Sequence, residues 1–403
     1  MISKRARRWS EHEQDLVFAH FNCANDEFEP VKNPGGYVNF GTAENKLLFK
    51  DILPLLEKCS KFQESDTHYN ELYGSSCLRN ALAPVLSRRA GRALSSDNIV
   101  IASGASAILE ILAFALCDPY DRIMIPAPYY TGFDHDLALR SEAKLLPICL
   151  NSPGFKLTAE SMKSQYEKAM KEGLNVRAVL LNSPHNPLGY VYGEELVREL
   201  AGFFEAESVH VICDEVYTES LLPGIRHFSG LKLQSPFVHV VYSFAKDFGL
   251  SGYKVGTLHT ENPEVLEAAK ALAYFHTVSG QTQRLLSGVL ESPELGRFFE
   301  TTRKRVLDSY RYAASVFSKT GINYVEPEGG IFLWLDLRPF LTESSFDGEM
   351  NLFKRIFNEC KVNVSPGQAF HCHEPGWFRL CYAVPHLDEG LKRLIAYFSE
   401  KIS

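Results

Sequence analysis

Seven short apolar runs, spread over residues 98–260, constrain the fold of this chain more than any other feature. They read "NIVIA" (98–102), "RIMIPA" (122–127), "KLLPICL" (144–150), "VRAVLLN" (176–182), "VHVICDE" (209–215), "VHVVYSF" (238–244) and "KVGTLHT" (254–260). Continuous β-rich runs of this length, bounded by turn residues, mark strands buried on both faces. Between several of them lie helix-like segments such as "SAILEILAFALC" and "EELVRELAGFFEA". Strand and helix in alternation predict an α/β fold, with a mostly parallel seven-stranded sheet covered by helices. Only a loop separates the last two runs, so one of them is expected to run antiparallel.

The texture changes after residue 260. "PEVLEAAKALAYF" and a long stretch from Gln283 to Lys319 read as helices. "YVEPEGGIFLWLDL" reads as strand, glycine turn and strand, and "NLFKRIFNEC", "VNVSPG", "WFRLCYAV" and "LDEGLKRLIAYFSEKI" complete a small α/β unit. A chain of 403 residues is too long for one small core. We expect a large domain over residues 61–285, a smaller one over 286–403, and an N-terminal segment, 1–60, packing with the smaller.

A net charge of −7 and a pI near 6.0 give no basic footprint for nucleic acid and no polybasic patch for a membrane surface. The basic opening "MISKRARRWS" is followed by no apolar stretch of signal type, so it reads as a solvated tail. No window approaches the apolar length that spans a bilayer. The nine cysteines are odd in number, scattered and never spaced as Cys-x-x-Cys, which fits reduced thiols in a cytoplasmic protein. "HCH" at 371–373 invites a metal reading. Consecutive residues rarely converge on one ion, so a loop or core role is expected and no metal site.

In open parallel sheets, ligands gather at the carboxyl ends of strands. "IASGASAILE" turns there from strand to helix, and the N–H groups of Gly104, Ala105 and Ser106 suit a phosphate or, equally, an ordinary turn and cap. "VHVICDEVYTES" ends a buried strand on Asp214, Glu215 and Tyr217; a carboxylate buried there needs a structural arginine or a protonated ring nitrogen as partner. "LNSPHNPLG" ends the preceding strand on Asn182, His185 and Asn186. In "SFAKDFGLSGYKVG", Lys246 follows a strand end by three residues. Most lysines are surface groups, but a desolvated amine loses its proton and attacks carbonyls. An amine, a phosphate cup, an acid and the aromatic pair Tyr129 and Tyr130 all fall at strand ends of one sheet. These are the parts needed to hold pyridoxal 5'-phosphate (PLP).

The chain resembles the fold-type-I PLP enzymes of the class I aminotransferase superfamily, and more narrowly 1-aminocyclopropane-1-carboxylate (ACC) synthases and their relatives. The resemblance runs from "FGTAENKLLF" (40–49) through "PAPYYTGFDHD", "NSPHNPLG", "DEVY", "SFAKDFGLSGYKVG" and "VSGQTQRLL" to "QAFHCHEPGWFRLCYAV" (368–384), nearly the whole chain. It implies that Lys246 is the Schiff-base lysine and proton carrier and that Asp214 pairs with the pyridinium nitrogen. Tyr217 and Asn186 would bond the ring hydroxyl oxygen, and Tyr130 would stack on the ring. Ala105, Ser106, Ser243 and Lys254 would hold the phosphate. Arg379 would grip the α-carboxylate of an amino-acid substrate, a role that suits a planar guanidinium. Glu44, in "TAEN", stands where ACC synthases carry an active-site glutamate. A homodimer is implied, with a tyrosine from the partner subunit reaching the phosphate; "THYNELYGSS" offers Tyr69 and Tyr73, of which Tyr69 is preferred.

Two departures from the family pattern stand in the phosphate region. Lys254 replaces the usual arginine, a point donor instead of a fork, and Ala245 replaces a common serine. They predict looser PLP binding or a shifted phosphate, and a specialised branch of the family. The leading expectation is an ACC-synthase-like lyase that removes a Cα proton and then eliminates, replaces or cyclises at a β or γ position, with C–S cleavage among the options. An aminotransferase producing a 2-oxo acid is the second expectation. A non-catalytic binding protein of the same fold is the third, opposed by the intact Lys246, Asp214, Tyr217 and Arg379.

Overall fold

The computed structural model describes residues 2–3, 7 and 15–402. The basic opening segment therefore lies outside the described residues except for Ile2, Ser3 and Arg7. The seven apolar runs form strands β1 (Ile99–Ala102), β2 (Arg122–Ala127), β3 (Lys144–Cys149), β4 (Val176–Asn182), β5 (His210–Asp214), β6 (Val238–Ser243) and β7 (Gly256–Thr260). They make one sheet in the spatial order β1-β7-β6-β5-β4-β2-β3. Strands β2 to β6 pair in parallel, while β7 runs antiparallel to both β6 and β1, as the short connection before it predicts.

Both faces of the sheet are covered over its central strands, which is why those strands are mainly apolar, while the edge strand Lys144–Cys149 is only partly buried. Val100, Ile212, Val241 and Leu258 point into one core with Ile108, Ile111 and Leu112 of the helix Ala105–Leu116. Their strand neighbours Ile101, Val211, Cys213 and Val240 point into the opposite core. This alternation at period two is the pleat of a strand with no solvent face. Each fully buried Val, Leu or Ile contributes about 1.5–3 kcal/mol.

The C-terminal unit holds a four-stranded antiparallel sheet in which Trp377–Cys381 lies between Ser365–Pro366 and Phe332–Asp336, with Asn323–Val325 at the far edge. The helices Leu295–Phe317, Phe346–Arg355 and Leu387–Ile402 supply apolar residues to its core. Val38, Phe40 and Ala43 from the N-terminal segment join that core, and Val38–Asn39 pairs in parallel with Val362–Asn363. Helix Phe49–Cys59 instead sends Ile52, Leu55 and Leu56 into the core of the large sheet. The expected boundary at 285/286 falls inside helix Gly280–Glu291, whose Leu286, Val289 and Leu290 share that same core.

The "HCH" side chains part company. His371 Nε2 meets Asp134 Oδ2 at 2.5 Å, His373 Nε2 meets Asn151 Oδ1 at 3.0 Å, and Cys372 is buried. Among the described residues no three His, Cys, Asp or Glu side chains gather as a metal ion would need, and no helix is long and apolar enough to cross a membrane. All nine cysteines are free of disulfides.

Candidate active site

The direction of β7 brings its first residue to the edge where its neighbours end. Ala102, Gly256 and Ser243 stand in register there across β1, β7 and β6. The chain leaving β1 turns through Gly104 at φ +99°, a conformation side chains rarely adopt, and enters the helix Ala105–Leu116. A Cβ on Gly256 would lie 2.2 Å from the Gly104 carbonyl carbon, so only glycine lets these segments meet. Lys254, itself at φ +52°, turns its amine back to the same place: Cε and Nζ lie 3.5 Å from where a Gly104 Cβ would be. Gly104, Ala105, Ser106, Ser243 and Lys254 line one end of a cavity of about 180 Å³. Orphan N–H groups at a helix start, hydroxyls and an amine make that end a cup for an anion. Ala245 lines it too, and Ser251, whose hydroxyl donates to the Ala245 carbonyl at 3.1 Å, stands beside it.

Lys246 enters the same cavity from the loop after β6. Its Nζ donates to the Ala43 carbonyl at 2.7 Å and makes no ion pair within 4 Å among the described residues. Burial pulls its proton affinity down, and the Arg379 guanidinium adds to this; Glu44, Cys381 and Asp214 act in the opposite sense. A half-buried amine whose pKa is lowered by desolvation is a competent nucleophile.

Asp214 is the last residue of β5 and pairs in register with Asn182, the last of β4. Asn182 Nδ2 donates to Asp214 Oδ2 at 3.0 Å, while Oδ1 is buried without a hydrogen-bond partner. Burial pushes this carboxyl up to about 7, with Asp136 and Glu215 adding to the effect, while the Val216 N–H and Lys246 oppose it. An orphaned carboxylate oxygen facing a cavity is costly unless a donor arrives. A protonated ring nitrogen would be such a donor.

Arg379 lies on the inner strand Trp377–Cys381 of the small sheet. One Nη donates to Asn186 Oδ1 at 3.1 Å and the other to the Gly41 carbonyl at 2.5 Å, while Nε is buried without a partner. No carboxylate lies within 4 Å of it among the described residues. Burial lowers its pKa. A buried guanidinium held only by neutral acceptors has capacity left for an anion.

The structure thus brings together Lys246, Asp214, Tyr217, Asn186, Tyr130, Ala105, Ser106, Ser243 and Lys254 around one cavity, with Arg379 bonded to Asn186 on its wall. Tyr217 is buried, its ring edge-on to Phe332. Gly132 lets the Tyr130 ring fold over it, since a Cβ there would lie 2.4 Å from that ring. Glu44 is half-buried beside the amine, with Oε2 3.9 Å from Lys46 Nζ. Glu215 turns away to accept from Ser229 Oγ and Gly230 N–H, both at 2.6 Å, and His185 is buried, its pKa pushed down to about 4 by desolvation. Tyr69 is fully exposed and apart from the cavity. Tyr73 is tied into its own chain: its carbonyl accepts from Ile101 N and its ring carries the Arg79 guanidinium at 4.9 Å.

Sequence reasoning gave no role to Asp136, Ser251, or the Gly41 and Ala43 carbonyls. Asp136 sits inside the quoted "YYTGFDHD", but an Asp-His-Asp run after a Gly carries no periodic signal that aims one carboxylate inward. Main-chain carbonyls leave no side-chain signature at all.

The protein-family model for aminotransferase class I and II matches residues 36–398. The chain is 35% identical over 379 residues to a 1-aminocyclopropane-1-carboxylate synthase of Glycine max, covering 88% of this chain and 78% of that one. It is 34% identical over 387 residues to 1-aminocyclopropane-1-carboxylate synthase 2 of Solanum lycopersicum, covering 91% and 79%. In fold it matches a double mutant of the Thermus thermophilus aspartate aminotransferase with a TM-score of 0.83 at 22% identity, over 98% of this chain and 99% of that one. The aromatic aminotransferase from Pyrococcus horikoshii matches with a TM-score of 0.81 at 21% identity, over 91% and 96%. The seven-stranded mixed sheet, the small domain and the sequence relatives agree: this chain belongs to the class I and II aminotransferases, a family of PLP-dependent enzymes.

Proposed function

We propose that this protein binds PLP and acts on an amino acid at Cα, as a lyase of the ACC-synthase type. One observation carries the reading: a half-buried amine, a carboxylate oxygen without a partner and a guanidinium without a carboxylate belong to one site. Each lacks the partner that a PLP–amino acid pair would supply. Bound PLP supplies a ring that withdraws electrons and so makes the Cα proton of an amino acid acidic. Lys246 would hold the cofactor through its aldehyde carbon and afterwards carry the Cα proton. Asp214 Oδ1 would keep a proton on the ring nitrogen, and Tyr217 and Asn186 would bond the ring oxygen. Tyr130 would cover the ring, and the cup with Lys254 would take the phosphate. Arg379 would clamp the substrate carboxylate, which fixes the Cα–H bond relative to Lys246. Glu44, whose charge acts on the amine, supports the lyase over simple transamination through its match to the ACC-synthase pattern, as do the names of the sequence relatives.

A homodimer accompanies this reading. Tyr69 is the better candidate to reach the partner's phosphate cup, because it is fully exposed while Tyr73 is held within its own subunit. A monomeric mass in solution would sink that part.

The test has two stages. Protein reduced with borohydride in the presence of PLP should carry a pyridoxyl adduct on Lys246, absent in Lys246→Ala; no adduct on the wild type ends the enzymatic reading. Incubation with amino acids bearing β or γ leaving groups should then release thiol, ammonia or a cyclised product. Accumulation of 2-oxo acid with the amine form of the cofactor would make it an aminotransferase instead.

A further inference from the structure

We infer that Asp136 forms an acidic wall of the phosphate cup, present as a carboxylate in the cavity it shares with Lys254 when the cup holds no phosphate and protonated when it does, so that cofactor binding draws in one proton. The inference rests on the PLP reading above and deepens it.

Asp136 stands on the six-residue π-helical turn Asp134–Leu139, where its N–H donates to the Gly132 carbonyl at 2.9 Å. It lines the same cavity as Gly104, Ser106 and Lys254. Ser106 and Lys254 are the two groups that pull the pKa of its carboxyl down. The hydroxyl and the amine assigned to a phosphate therefore share their cavity with a carboxylate of this chain.

The charges do not balance once a phosphate enters. A phosphate monoester carries about −1.5 to −2 at neutral pH. Lys246 and Lys254 are the lysines that line the cavity, Arg379 on its wall is bonded to Asn186, and Lys246 is the amine that would bond the cofactor. One lysine would then face a near-dianion and a carboxylate together. An arginine at 254 could fork to both; an ammonium is a single point of charge. Like charges at contact cannot both stay ionised, and the cheaper proton goes to the carboxylate. Protonated, Asp136 donates a hydrogen bond to the phosphate instead of repelling it.

The neighbours of Asp136 favour this. Asp214 on β5 and the Tyr130 hydroxyl lie within its field and add no positive charge. On the helix Ala105–Leu116, Glu110 is occupied by Arg140 at 3.2 Å and His276 at 2.9 Å. On β3, the Lys144 amine stands over the Tyr120 ring at 5.7 Å. Burial pushes the Asp136 carboxyl up to about 7 even with Ser106 and Lys254 pulling it down, so one more negative charge suffices to protonate it.

The test is calorimetric binding of pyridoxine 5'-phosphate, whose alcohol cannot bond Lys246 and so leaves that amine's proton out of the count. Titrations at pH 8 in buffers of different ionisation enthalpy give the protons taken up on binding. The wild type should take up about one proton more than Asp136→Asn, because nearly one full proton is linked. Its dissociation constant should rise by up to about tenfold from pH 7.5 to 8.5. The variant should show a much smaller rise and bind more tightly than the wild type at pH 8.5. Contributions of the phosphate itself and of Asp214 are common to both proteins and cancel. Equal proton uptake, or a variant that binds more weakly at pH 8.5, overturns the inference. If the wild type binds neither PLP nor the analogue at any pH, the PLP reading itself falls and the inference falls with it. Melting without ligand checks that Asp136→Asn is folded, and Asp136→Ser provides the same comparison if it is not.

Discussion

Two buried clusters flank the loop after β6, and both are built from an aspartate, an arginine and a tyrosine. One holds Asp214, Arg379 and Tyr217; the other holds Asp247, Arg89 and Tyr242. Lys246 and Asp247 are adjacent in sequence, and their side chains serve different clusters. Asp247 is fully buried and fully partnered: Thr218 Oγ1, Glu219 N–H and Tyr242 OH donate to Oδ2 at 3.2, 3.0 and 3.2 Å, and Ser220 Oγ donates to Oδ1 at 3.2 Å. Arg89 lies over the Tyr242 ring at 4.2 Å and bonds Glu219 Oε1 at 3.0 Å, while Arg303 takes Oε2 at 2.7 Å. In the other cluster, Asp214 Oδ1 and Arg379 Nε have no partner. The same residue types thus give a closed knot in one place and a cluster with unmet hydrogen bonds in the other. What separates them is which hydrogen bonds are left unmade.

This contrast predicts opposite responses to parallel mutations. The largest effect falls on the open cluster. Asp214→Asn should cut turnover by roughly 10²–10³-fold, because a charge aimed at the reacting system is lost. The same change should raise the unfolding free energy of the cofactor-free protein at pH 8, where it removes a carboxylate held up near 7 by burial. Denaturant titration and steady-state kinetics read the two quantities, and a variant that loses stability while keeping turnover breaks the comparison.

Next comes the closed cluster. Asp247→Ala leaves three side-chain donors and one N–H without their acceptor and should cost about 3 kcal/mol of stability, seen in the denaturation midpoint. An unchanged midpoint would mean that the knot is not structural. Arg379→Lys is smaller again. Lysine cannot present a fork, so KM for an amino-acid substrate should rise about 10–100-fold while the melting temperature stays put. A KM within twofold of the wild type would remove Arg379 from carboxylate recognition.

The smallest effect lies at the opposite edge of the sheet, where His210 Nδ1 meets His239 Nε2 at 2.9 Å and His239 Nδ1 meets Thr260 Oγ1 at 2.8 Å. His259 is buried nearby, its pKa pushed down to about 4 mainly by desolvation. A histidine kept neutral in the fold stabilises it fully above pH 6.5, and that stability is lost as pH falls toward 4. His259→Leu should therefore abolish about 2 kcal/mol of the loss between pH 7 and pH 5. The measured quantity is the difference between variant and wild type. The wild-type total also contains Asp214, whose raised pKa makes folding of the free protein more favourable as pH drops below 7. No difference between the two proteins would place the acid-sensitive group elsewhere.

The sheet was legible because its chemistry is repetitive. Runs such as "VHVVYSF" sit in two apolar cores at once, so every residue of the run reports burial. Lys246, Asp214 and Arg379 were legible because they stand out against such runs or in motifs shared with relatives. Asp136 was not, since a π-helical turn has no sequence period and nothing in "FDHD" says which carboxylate faces inward. The contrast between Asp214 and Asp247 was equally hidden. Both follow or end a buried strand, and only three-dimensional placement of Thr218, Ser220 and Tyr242 decides which one is satisfied.

The reversed strand β7 has a consequence for how the protein comes into being. Gly104 and Gly256 lie about 150 positions apart in the chain, and they meet only when β7 slides between β1 and β6. Contacts this distant in sequence form late, after their loop-closure entropy has been overcome. A chain still emerging from the ribosome, or one stalled with β2 to β6 already paired, possesses the acid and the aromatic but no finished cup. If the cup takes a cofactor's phosphate as proposed, capture of that phosphate would be a checkpoint on topology: a chain that held it would already have threaded its last strand.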